Sequence, residues 1–454
     1  MNREKLAWVL SVVLVAVLAF QLPGSMATRD NDYAWVSTLV DVHRRVADNY
    51  VEKVDEDKLR QGAINGMLEQ LDPYTIFVPH DRQEEFDRML EGSFKGVGIQ
   101  LAQDPNPLGV EVLSPIEGSP AFKAGVMSGD LILKVNGDSI AGLKVEEVIK
   151  KIAGPIGTPV TLTVHHITGR TADLTMTRQE IIIPPLKGYA RKRDGSWDYY
   201  VSHDPKIAYV RLTQFTPDCA EKLTPIIQDL IKDGMKGFIL DLRFNPGGRL
   251  DEAKDIVDLF IDSGTIVVTK GRNRPEEVAY AKPEGTLPHF PMAVLVNGGS
   301  ASAAEIVAGS LKDNKRALIV GTRTFGKGSV QEVVPLDNNR GELKMTVAYY
   351  YLPSGRLVHR KKDATDWGVE PHVIVNVDPP KLEQIRQEMD KRDRFARPET
   401  MPAGMTTQPT TRAVAGQAAT QPAAATEPID PQLDAAVSSL IGHLVLEGEH
   451  EARK

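Results

Sequence analysis

Cysteine is almost absent from this chain of 454 residues, in which Cys219 is the single thiol. One cysteine cannot form an intramolecular disulfide, and it excludes zinc and iron–sulfur sites built from cysteine clusters. Histidine does not replace it as a ligand, because none of the ten histidines stands in a His-x-x-x-His pair. We therefore expect no metal and no cofactor, and a chemistry that uses oxygen and nitrogen side chains.

An excess of positive charge is also missing. The chain carries 54 basic and 61 acidic residues, a formal net charge of −7, which argues against a binder of nucleic acids or anionic membranes. Its length corresponds to about three folding units at roughly 150 residues each. A hydrophobic fraction of 41% supplies the apolar residues that their cores need.

Polar residues are scarce near the N-terminus, between Leu6 and Leu22. Two cations, Arg3 and Lys5, precede this apolar run, which is longer than an ordinary signal-peptide core and slightly short for a membrane span. Ser25-Met26-Ala27 offers a cleavage site. We predict that residues 1–27 are either a cleaved signal peptide or a retained membrane anchor. Both place the rest of the chain outside the cytoplasm, in the periplasm or on the outer face of the cytoplasmic membrane.

The spacing of apolar residues changes along the body of the chain. Residues 33–71 show helical spacing that Asp72-Pro73 ends, and we assign residues 28–91 to an N-terminal helical region. Residues 92–180 show short strands, glycine-rich turns and one amphipathic helix. Residues 181–380 alternate strands with helices and include the continuous apolar strand 237–242, which is typical of a buried parallel sheet. The sequence therefore predicts an α/β fold with a separate, small β-rich domain.

The last part of the chain changes composition again. Residues 381–428 are first charged and then rich in Pro, Ala, Thr and Gln, so we predict a linker. Residues 429–454 place Leu433, Val437, Leu440 and Ile441 on one helical stripe. Such an amphipathic helix has to pack either against its own chain or against a second subunit.

Ser302 lies in the turn 297–305, between a predicted buried strand and a predicted helix. Unpaired backbone N–H groups and the positive end of the helix dipole suit a nucleophilic hydroxyl at this place. However, Ser302 and Glu305 also match a capping box, in which the serine only caps the helix. Taken alone, this segment favours the cap.

Lys327 lies between two glycines in Gly326-Lys327-Gly328-Ser329, which together with Gly321 nearly matches a phosphate-binding loop. The hydroxyl required after the lysine is replaced by Gly328, and the following residues alternate like a strand instead of beginning a helix. Both differences argue against nucleotide binding. The flanking glycines let the backbone approach a site closely while the lysine points into it, although a solvated loop lysine fits the same pattern.

The segment Asp241–Gly248 ends a predicted buried strand with two consecutive glycines. Glycines in this arrangement can direct backbone N–H groups at one point, as an oxyanion hole requires. A simple strand-terminating turn is the alternative, which this segment by itself favours.

In their order and spacing these segments resemble the carboxyl-terminal processing peptidases, also called tail-specific proteases. The resemblance covers residues 33–380. It rests on the motifs Phe94-Lys95-Gly96-Val97-Gly98, Ser119-Pro120-Ala121, Gly129-Asp130, Asp241–Gly248, Gly299–Glu305, Thr324–Gln331 and Tyr351–Arg356.

The resemblance implies a catalytic role for each of several residues. Ser302 is expected to be the nucleophile, Lys327 the general base, and Gln331 the residue that orients the lysine. The backbone N–H groups of Gly248 and Ala303 are expected to form the oxyanion hole. Lysine acts as a base only when neutral, and an amide can hydrogen-bond its amine without adding the negative charge that would keep it protonated.

The resemblance also implies the domain organisation and the substrate. Residues 92–180 are expected to be a PDZ domain, inserted ahead of a crotonase-like α/β peptidase core at residues 181–380, with helical arms at both ends. The loop Gly96, Val97, Gly98 and Ile99 is expected to bind the C-terminal carboxylate of an unstructured protein tail. Independently of the resemblance, the terminal helices lead us to expect a homo-oligomer, a dimer or larger.

Two positions differ from the family pattern. Ala304 stands where a serine is common, next to the expected nucleophile. Ala153-Gly154-Pro155 lacks an arginine that couples peptide binding to activation in some relatives, so peptide-gated activation is not predicted. A non-catalytic PDZ scaffold with a degenerate protease-like domain is the alternative function, and the joint presence of Ser302, Lys327 and Gln331 argues against it.

Overall fold

The computed structural model describes residues 34–103, 109–395 and 429–452. The chain divides into two compact units, residues 1–77 and 78–454. The apolar segment 6–22 and the low-complexity segment 397–428, for which we predict an export signal and a linker, lie outside the described residues.

The first unit contains two helices, Ala34–Asn49 and Glu56–Leu68. The second helix begins where the Asp55 side chain accepts a hydrogen bond from the amide of Lys58 at 3.2 Å. The helical pattern of the sequence is therefore confirmed here. The predicted helical region 28–91 is wrong in one respect, because it also contains the strand Ile76–Pro79, which the pattern analysis missed.

The β-rich domain is built on a sheet whose strands follow the order 99–103, 110–115, 131–135, 159–165 and 171–177. The strand Ile99–Gln103 is an edge strand and lies beside the helix Val145–Ile152. At the domain boundary, Ser93–Gly96 pairs antiparallel with Gln179–Ile182. This pairing brings the two ends of the domain together, as the insertion of one domain into a chain requires. The other strands of the sheet are, in the same order, Val110–Pro115, Leu131–Val135, Pro159–His165 and Thr171–Thr177. The domain also contains the short helix Pro120–Lys123 and the short strand Asp138–Ser139.

A parallel sheet forms the centre of the second unit. Its parallel strands follow the order Lys206–Leu212, Gly237–Asp241, Met292–Val296, Leu318–Gly321 and Val373–Ile374. Leu186–Lys187 and Tyr200–His203 add antiparallel to the first of these strands. The helices Cys219–Lys232, Leu250–Asp258 and Ala303–Asp313 contribute to the core on one face. The predicted alternation of strands and helices is confirmed.

A second, antiparallel sheet contains Thr265–Gly271, Glu277–Tyr280, Ser329–Pro335 and Gly341–Tyr351. The last two strands form a hairpin in which Gln331 is opposite Thr346 and Val333 is opposite Lys344. Of these four strands the sequence analysis predicted only the one that begins at Ser329. The remaining elements of this unit are the short strands Ala190–Arg191 and Trp197–Asp198, the helix His80–Glu91 and the short helix Asp337–Asn339.

The predicted linker 381–428 is wrong in its first part, because Pro379–Asp393 is a helix. Asp378 caps this helix and Pro379 occupies its first turn, a common helix-start signal that the charged composition obscured. Ile385 and Met389 anchor the helix by burial.

The C-terminal helix, Pro431–Ala452, packs against its own chain. Leu433, Ala436 and Leu440 are buried against the face of the parallel sheet opposite the three core helices. Within the described ranges, every helix is too short or too polar to span a bilayer.

Candidate active site

Three loops meet at one edge of the parallel sheet. They follow the adjacent strands Gly237–Asp241, Met292–Val296 and Leu318–Gly321, and they contain Gly248, Ser302 and Lys327, respectively. Because neighbouring parallel strands end on the same side, the fold brings together motifs that are up to 79 positions apart in sequence.

Ser302 has an unusual backbone conformation, with φ of 55° and ψ of −118°. This region costs free energy for a residue with a side chain and occurs mainly where function requires it. The Ser302 side chain makes no cap hydrogen bond, whereas its amide donates to Glu305 Oε2 at 2.9 Å. The capping-box interpretation is therefore half right: Glu305 fulfils its part, and the serine hydroxyl does not cap the helix.

The loop before Gly248 is fixed against Phe215. The Phe215 amide donates to the Gly247 carbonyl at 3.0 Å, and the Arg249 amide donates to the Phe215 carbonyl at 2.9 Å. This contact requires glycine at 248, where φ is 145° and a Cβ atom would lie 2.2 Å from the Phe215 oxygen. A Cβ at Gly247 would lie 2.7 Å from Ser302 Cβ, so this backbone directly adjoins the serine.

Two backbone N–H groups beside Ser302 are available for a ligand. In the part of the chain that the structure describes, neither the Gly248 amide nor the Ala303 amide donates to another group. Ala303 is the first residue of its helix, where the amide has no partner within the helix. Both residues line the same cavity as Ser302. The arrangement offers two N–H donors to a developing oxyanion.

Asparagine side chains join the Gly248 loop to the Ser302 loop. Asn297 Oδ1 accepts from the amides of Phe244 at 3.0 Å and Gly299 at 2.9 Å. Asn245 Oδ1 accepts from the Gly247 amide at 2.8 Å, and the Asn245 carbonyl accepts from the Ala301 amide at 2.9 Å. These bonds fix the positions of the N–H donors relative to the serine.

The buried carboxylate of Glu305 joins the Ser302 segment to the Lys327 segment. Its Oε2 accepts from the amides of Ser302 at 2.9 Å and Lys327 at 2.8 Å. Its Oε1 accepts from the Thr324 hydroxyl at 2.5 Å and the Gly326 amide at 2.7 Å. The side chain is fully buried, and burial raises the pKa of the Glu305 carboxyl even though each of these bonds favours the ionised form.

Tyr350 connects the same two segments from the neighbouring sheet. Its hydroxyl lies 2.5 Å from the Lys327 carbonyl oxygen and 3.0 Å from the Ser302 carbonyl oxygen. Gln331 lies on the adjacent strand, and its Nε2 donates to Ser329 Oγ at 2.8 Å and to Thr346 Oγ1 at 3.2 Å. Since its NH₂ group is occupied, the Gln331 amide has a fixed orientation.

One cavity of about 340 Å³ contains all five expected site residues of the peptidase core. Ser302 and Lys327 are both partly buried in its wall. Four charged residues that the sequence analysis did not select also line it: Glu91, Arg249, Asp251 and Lys344. The structure therefore brings together Ser302, Lys327, Gln331, Gly248 and Ala303, as the resemblance implies.

The expected carboxylate-binding loop lies at a different pocket. Gly96, Val97, Gly98 and Ile99 line a groove of about 50 Å³ together with residues of the helix Val145–Ile152. Among the described residues, the amides of Val97 and Gly98 donate to no other group. The groove runs beside the unpaired edge of the strand Ile99–Gln103.

A buried ion cluster lies where the loop that contains Gly248 begins. The Arg243 guanidinium donates to Asp241 Oδ2 at 2.7 Å and to both oxygens of Asp430, at 2.8 and 2.9 Å. It also donates to Gln432 Oε1 at 3.3 Å. Arg243 and Asp241 have no exposed surface in their side chains. This cluster attaches the C-terminal helix segment to the strand end from which the loop that contains Gly248 begins.

Models of known families match three segments of the chain. Peptidase family S41 matches residues 206–375, the PDZ domain matches residues 111–165, and the activating protease CtpB N-terminal domain matches residues 21–82. The fold and the site therefore define a serine peptidase with a PDZ domain.

Comparison with curated proteins identifies the group within that class. The carboxy-terminal-processing protease of Bartonella bacilliformis is 37% identical over 382 residues, which is 83% of both chains. Carboxy-terminal processing protease CtpA of Bacillus subtilis is 36% identical over 333 residues, 73% of this chain and 67% of the relative. A solved photosystem II D1 C-terminal processing protease is 29% identical, with a TM-score of 0.42 over 74% of this chain and 92% of that chain. The chain belongs to peptidase family S41, as one of its carboxy-terminal processing proteases.

Replacing Glu305 with glutamine tests whether this carboxylate positions the two loops. The amide keeps one acceptor oxygen, but its NH₂ group faces two donors and leaves them unpaired, which costs about 1–3 kcal/mol of stability. We expect kcat for proteolysis to fall on the order of 10²-fold because the reacting groups are misplaced, with KM little changed.

The matched control is Glu332→Gln, which changes an exposed carboxylate on the neighbouring hairpin that pairs with Arg274. It should leave both kinetic constants as they are. A wild-type kcat in Glu305→Gln would show that the loops do not depend on this side chain.

Proposed function

We propose that the protein is an exported serine endopeptidase that cleaves proteins near their C-terminal tails, with Ser302 as nucleophile and Lys327 as general base. The observation that carries this proposal is the shared acceptor: one oxygen of Glu305 binds the amides of both residues, at 2.9 and 2.8 Å. Two available N–H donors adjoin the same serine. A binding scaffold would need neither arrangement.

The proposed reaction uses the groups around the cavity in sequence. Lys327, as a neutral amine, takes the proton of the Ser302 hydroxyl while the oxygen attacks the peptide carbonyl. The amides of Gly248 and Ala303 bind the resulting oxyanion. The lysine then donates its proton to the leaving amine, and it later accepts a proton from the water that hydrolyses the acyl-enzyme. Gln331 orients the lysine amine through its amide oxygen, because its NH₂ group already binds two hydroxyls.

The PDZ domain supplies the proposed preference for tails. An extended peptide can add to the free edge of the strand Ile99–Gln103, with its carboxylate on the amides of Val97 and Gly98. Ile149 is 48% exposed on the helix beside this edge and offers an apolar contact to the last side chain of the tail.

Three further statements belong to the same proposal. The core is crotonase-like, which the parallel sheet with its oxyanion loop supports. The chain is exported or anchored by residues 6–22, which rests on the sequence alone. The protein is a homo-oligomer, a dimer or larger, through its terminal helices. The exposed apolar residues of the first helix support this at the N-terminal end: Trp35, Leu39, Val40 and Val42.

A cleavage assay with the purified full chain tests the function. The substrate is an unstructured protein with a free C-terminus, and mass spectrometry identifies the products. We expect wild type to release C-terminal fragments and Ser302→Ala to release none. Ser263→Ala, which changes an exposed serine outside the cavity, should cleave like wild type. Equal cleavage by wild type and Ser302→Ala, or none by either, would leave the non-catalytic scaffold as the better description.

A further inference from the structure

The active-site cavity contains a second lysine. Lys344 lies on the strand Gly341–Tyr351, opposite Val333 and two positions from Thr346, which accepts a hydrogen bond from Gln331. Residues two apart on a strand, and residues directly opposite across a hairpin, share one face. Lys344 therefore lies on the face that carries Gln331, and it lines the cavity with Ser302 and Lys327.

Lys344 is a half-buried cation without a neighbouring anion. Burial alone lowers the pKa of its amine, since no carboxylate contributes to the shift. Its Nζ lies 5.7 Å from the centre of the Phe86 ring, a weak contact for a cation. No salt bridge within 4.0 Å joins Lys344 to any carboxylate in the residues that the structure describes.

The other charges of the cavity do not compensate it. Asp251 pairs with Arg249 at 2.5 Å, and it does not contribute to the pKa of Lys344. Glu91 is exposed at the end of its helix and forms no ion pair with Lys344. The cavity wall therefore presents a partly desolvated amine where a substrate has to bind.

We propose that Lys344 binds a carboxylate of the substrate and makes the protein selective for acidic groups beside the cleaved bond. This inference rests on the function proposed above, and it names the substrate class of the same site. The carboxylate is either an Asp or Glu side chain or the C-terminal carboxylate of a short tail. It supplies the partner that the amine lacks, in a setting where charge-assisted hydrogen bonds are strong.

The strand register places this subsite close to the reaction. Two strand residues span about 7 Å, so Val333 and its partner Lys344 lie about one such step beyond Gln331 along the hairpin. An extended substrate covers the same distance with about two residues. The selected carboxylate is therefore expected within about three residues of the cleaved bond, counting the reach of the lysine side chain.

Peptide binding to the full chain carrying Ser302→Ala tests the inference without catalysis. Fluorescence anisotropy compares labelled peptides that differ only by Glu or Gln near the cleaved bond, and peptides that differ only by a carboxylate or a carboxamide end. We expect the carboxylate member of one pair to bind about tenfold to hundredfold tighter. The pair that shows the preference identifies the source of the carboxylate.

Variants at Lys344 show whether this residue reads the charge. Lys344→Met keeps the length of the side chain and should remove the preference, whereas Lys344→Glu should reverse it towards peptides with Lys in place of Glu. The control Lys282→Met makes the same change of net charge at an exposed site outside the cavity and should keep the preference.

Two results would overturn the inference. One is equal binding of both members of each pair to the chain that keeps Lys344, and the other is a preference that persists in Lys344→Met. Neither result touches the proposed function, which stands or falls with the cleavage comparison of wild type and Ser302→Ala. Conversely, a charge preference in a chain that cleaves nothing would support Lys344 as a binding residue and contradict the peptidase mechanism.

Discussion

Lys327→Met is expected to lower kcat/KM for tail cleavage by about 10²- to 10⁴-fold, the usual contribution of a general base. Methionine keeps the length of the side chain and cannot accept a proton. The backbone of residue 327 stays in place, because its amide is bound by Glu305 and its carbonyl by Tyr350. Single-turnover kinetics should show that the chemical step is lost while binding of an uncleaved peptide changes little.

The second lysine of the cavity provides the matched control. Lys344→Met makes the same substitution in the wall of the same cavity. On substrates with neither an acidic side chain nor a carboxylate end near the cleaved bond, it should lower kcat/KM far less than Lys327→Met. In wild type and in Lys344→Met, kcat/KM should rise with pH as the base loses its proton. If the rise of kcat/KM with pH is absent in Lys344→Met but present in Lys327→Met, the roles of the two lysines are reversed and the proposed mechanism is wrong.

Arg243→Met is expected to destabilise the second unit by about 3–5 kcal/mol, as removal of one partner from a buried ion pair does. The change leaves the carboxylates of Asp241 and Asp430 buried without their cation. It also releases the C-terminal helix segment from the strand end that leads to Gly248. Denaturant unfolding measures the stability, and proteolytic activity should fall in parallel.

Two further measurements separate this cluster from an ordinary surface pair. Arg386→Met breaks an exposed pair with Glu383 and should change stability by less than about 1 kcal/mol. Arg243→Met combined with Asp430→Asn should cost less than the sum of the two single changes, because each removes the other's unpaired charge. Additive effects would mean that the two residues do not interact in the folded protein.

The stability should also depend on pH in a defined direction. Burial acts to raise the pKa of Asp430, but its ion pair with Arg243 outweighs burial and lowers that pKa overall. A carboxyl with a lowered pKa contributes stability above its unfolded-state pKa, and that contribution is lost as pH falls through the folded-state pKa. Wild type should therefore lose more stability in acid than Arg243→Met does.

Sequence patterns predicted most of the peptidase core for identifiable reasons. The strand Gly237–Asp241 stands out as a continuous apolar run, which predicted a buried parallel strand, and the structure confirms it. The expected site residues were predicted from the family resemblance of ordered motifs. Motifs far apart in sequence come together because neighbouring strands of a parallel sheet end at the same edge. Their grouping in one cavity agrees with that resemblance, while their roles remain predictions for the assays above.

Other features depend on contacts that no local pattern encodes. The sequence showed Glu305 as half of a capping box, but its bonds to Gly326 and Lys327 cross between two loops. Lys344 faces the cavity only because of the hairpin register, which alternation in the strand Gly341–Tyr351 does not reveal. The helix Pro379–Asp393 was missed because its many charges resemble a linker, although two buried residues anchor it.

The link between Arg243 and Asp430 has a consequence for biosynthesis. The two residues are 187 positions apart, so at 5–20 residues per second a ribosome needs about 10 to 40 s to make the second after the first. Until then the Arg243 guanidinium has only one of its two carboxylate partners, Asp241. The proposed active site is therefore expected to form late in synthesis, when most of the peptidase core has already been translated.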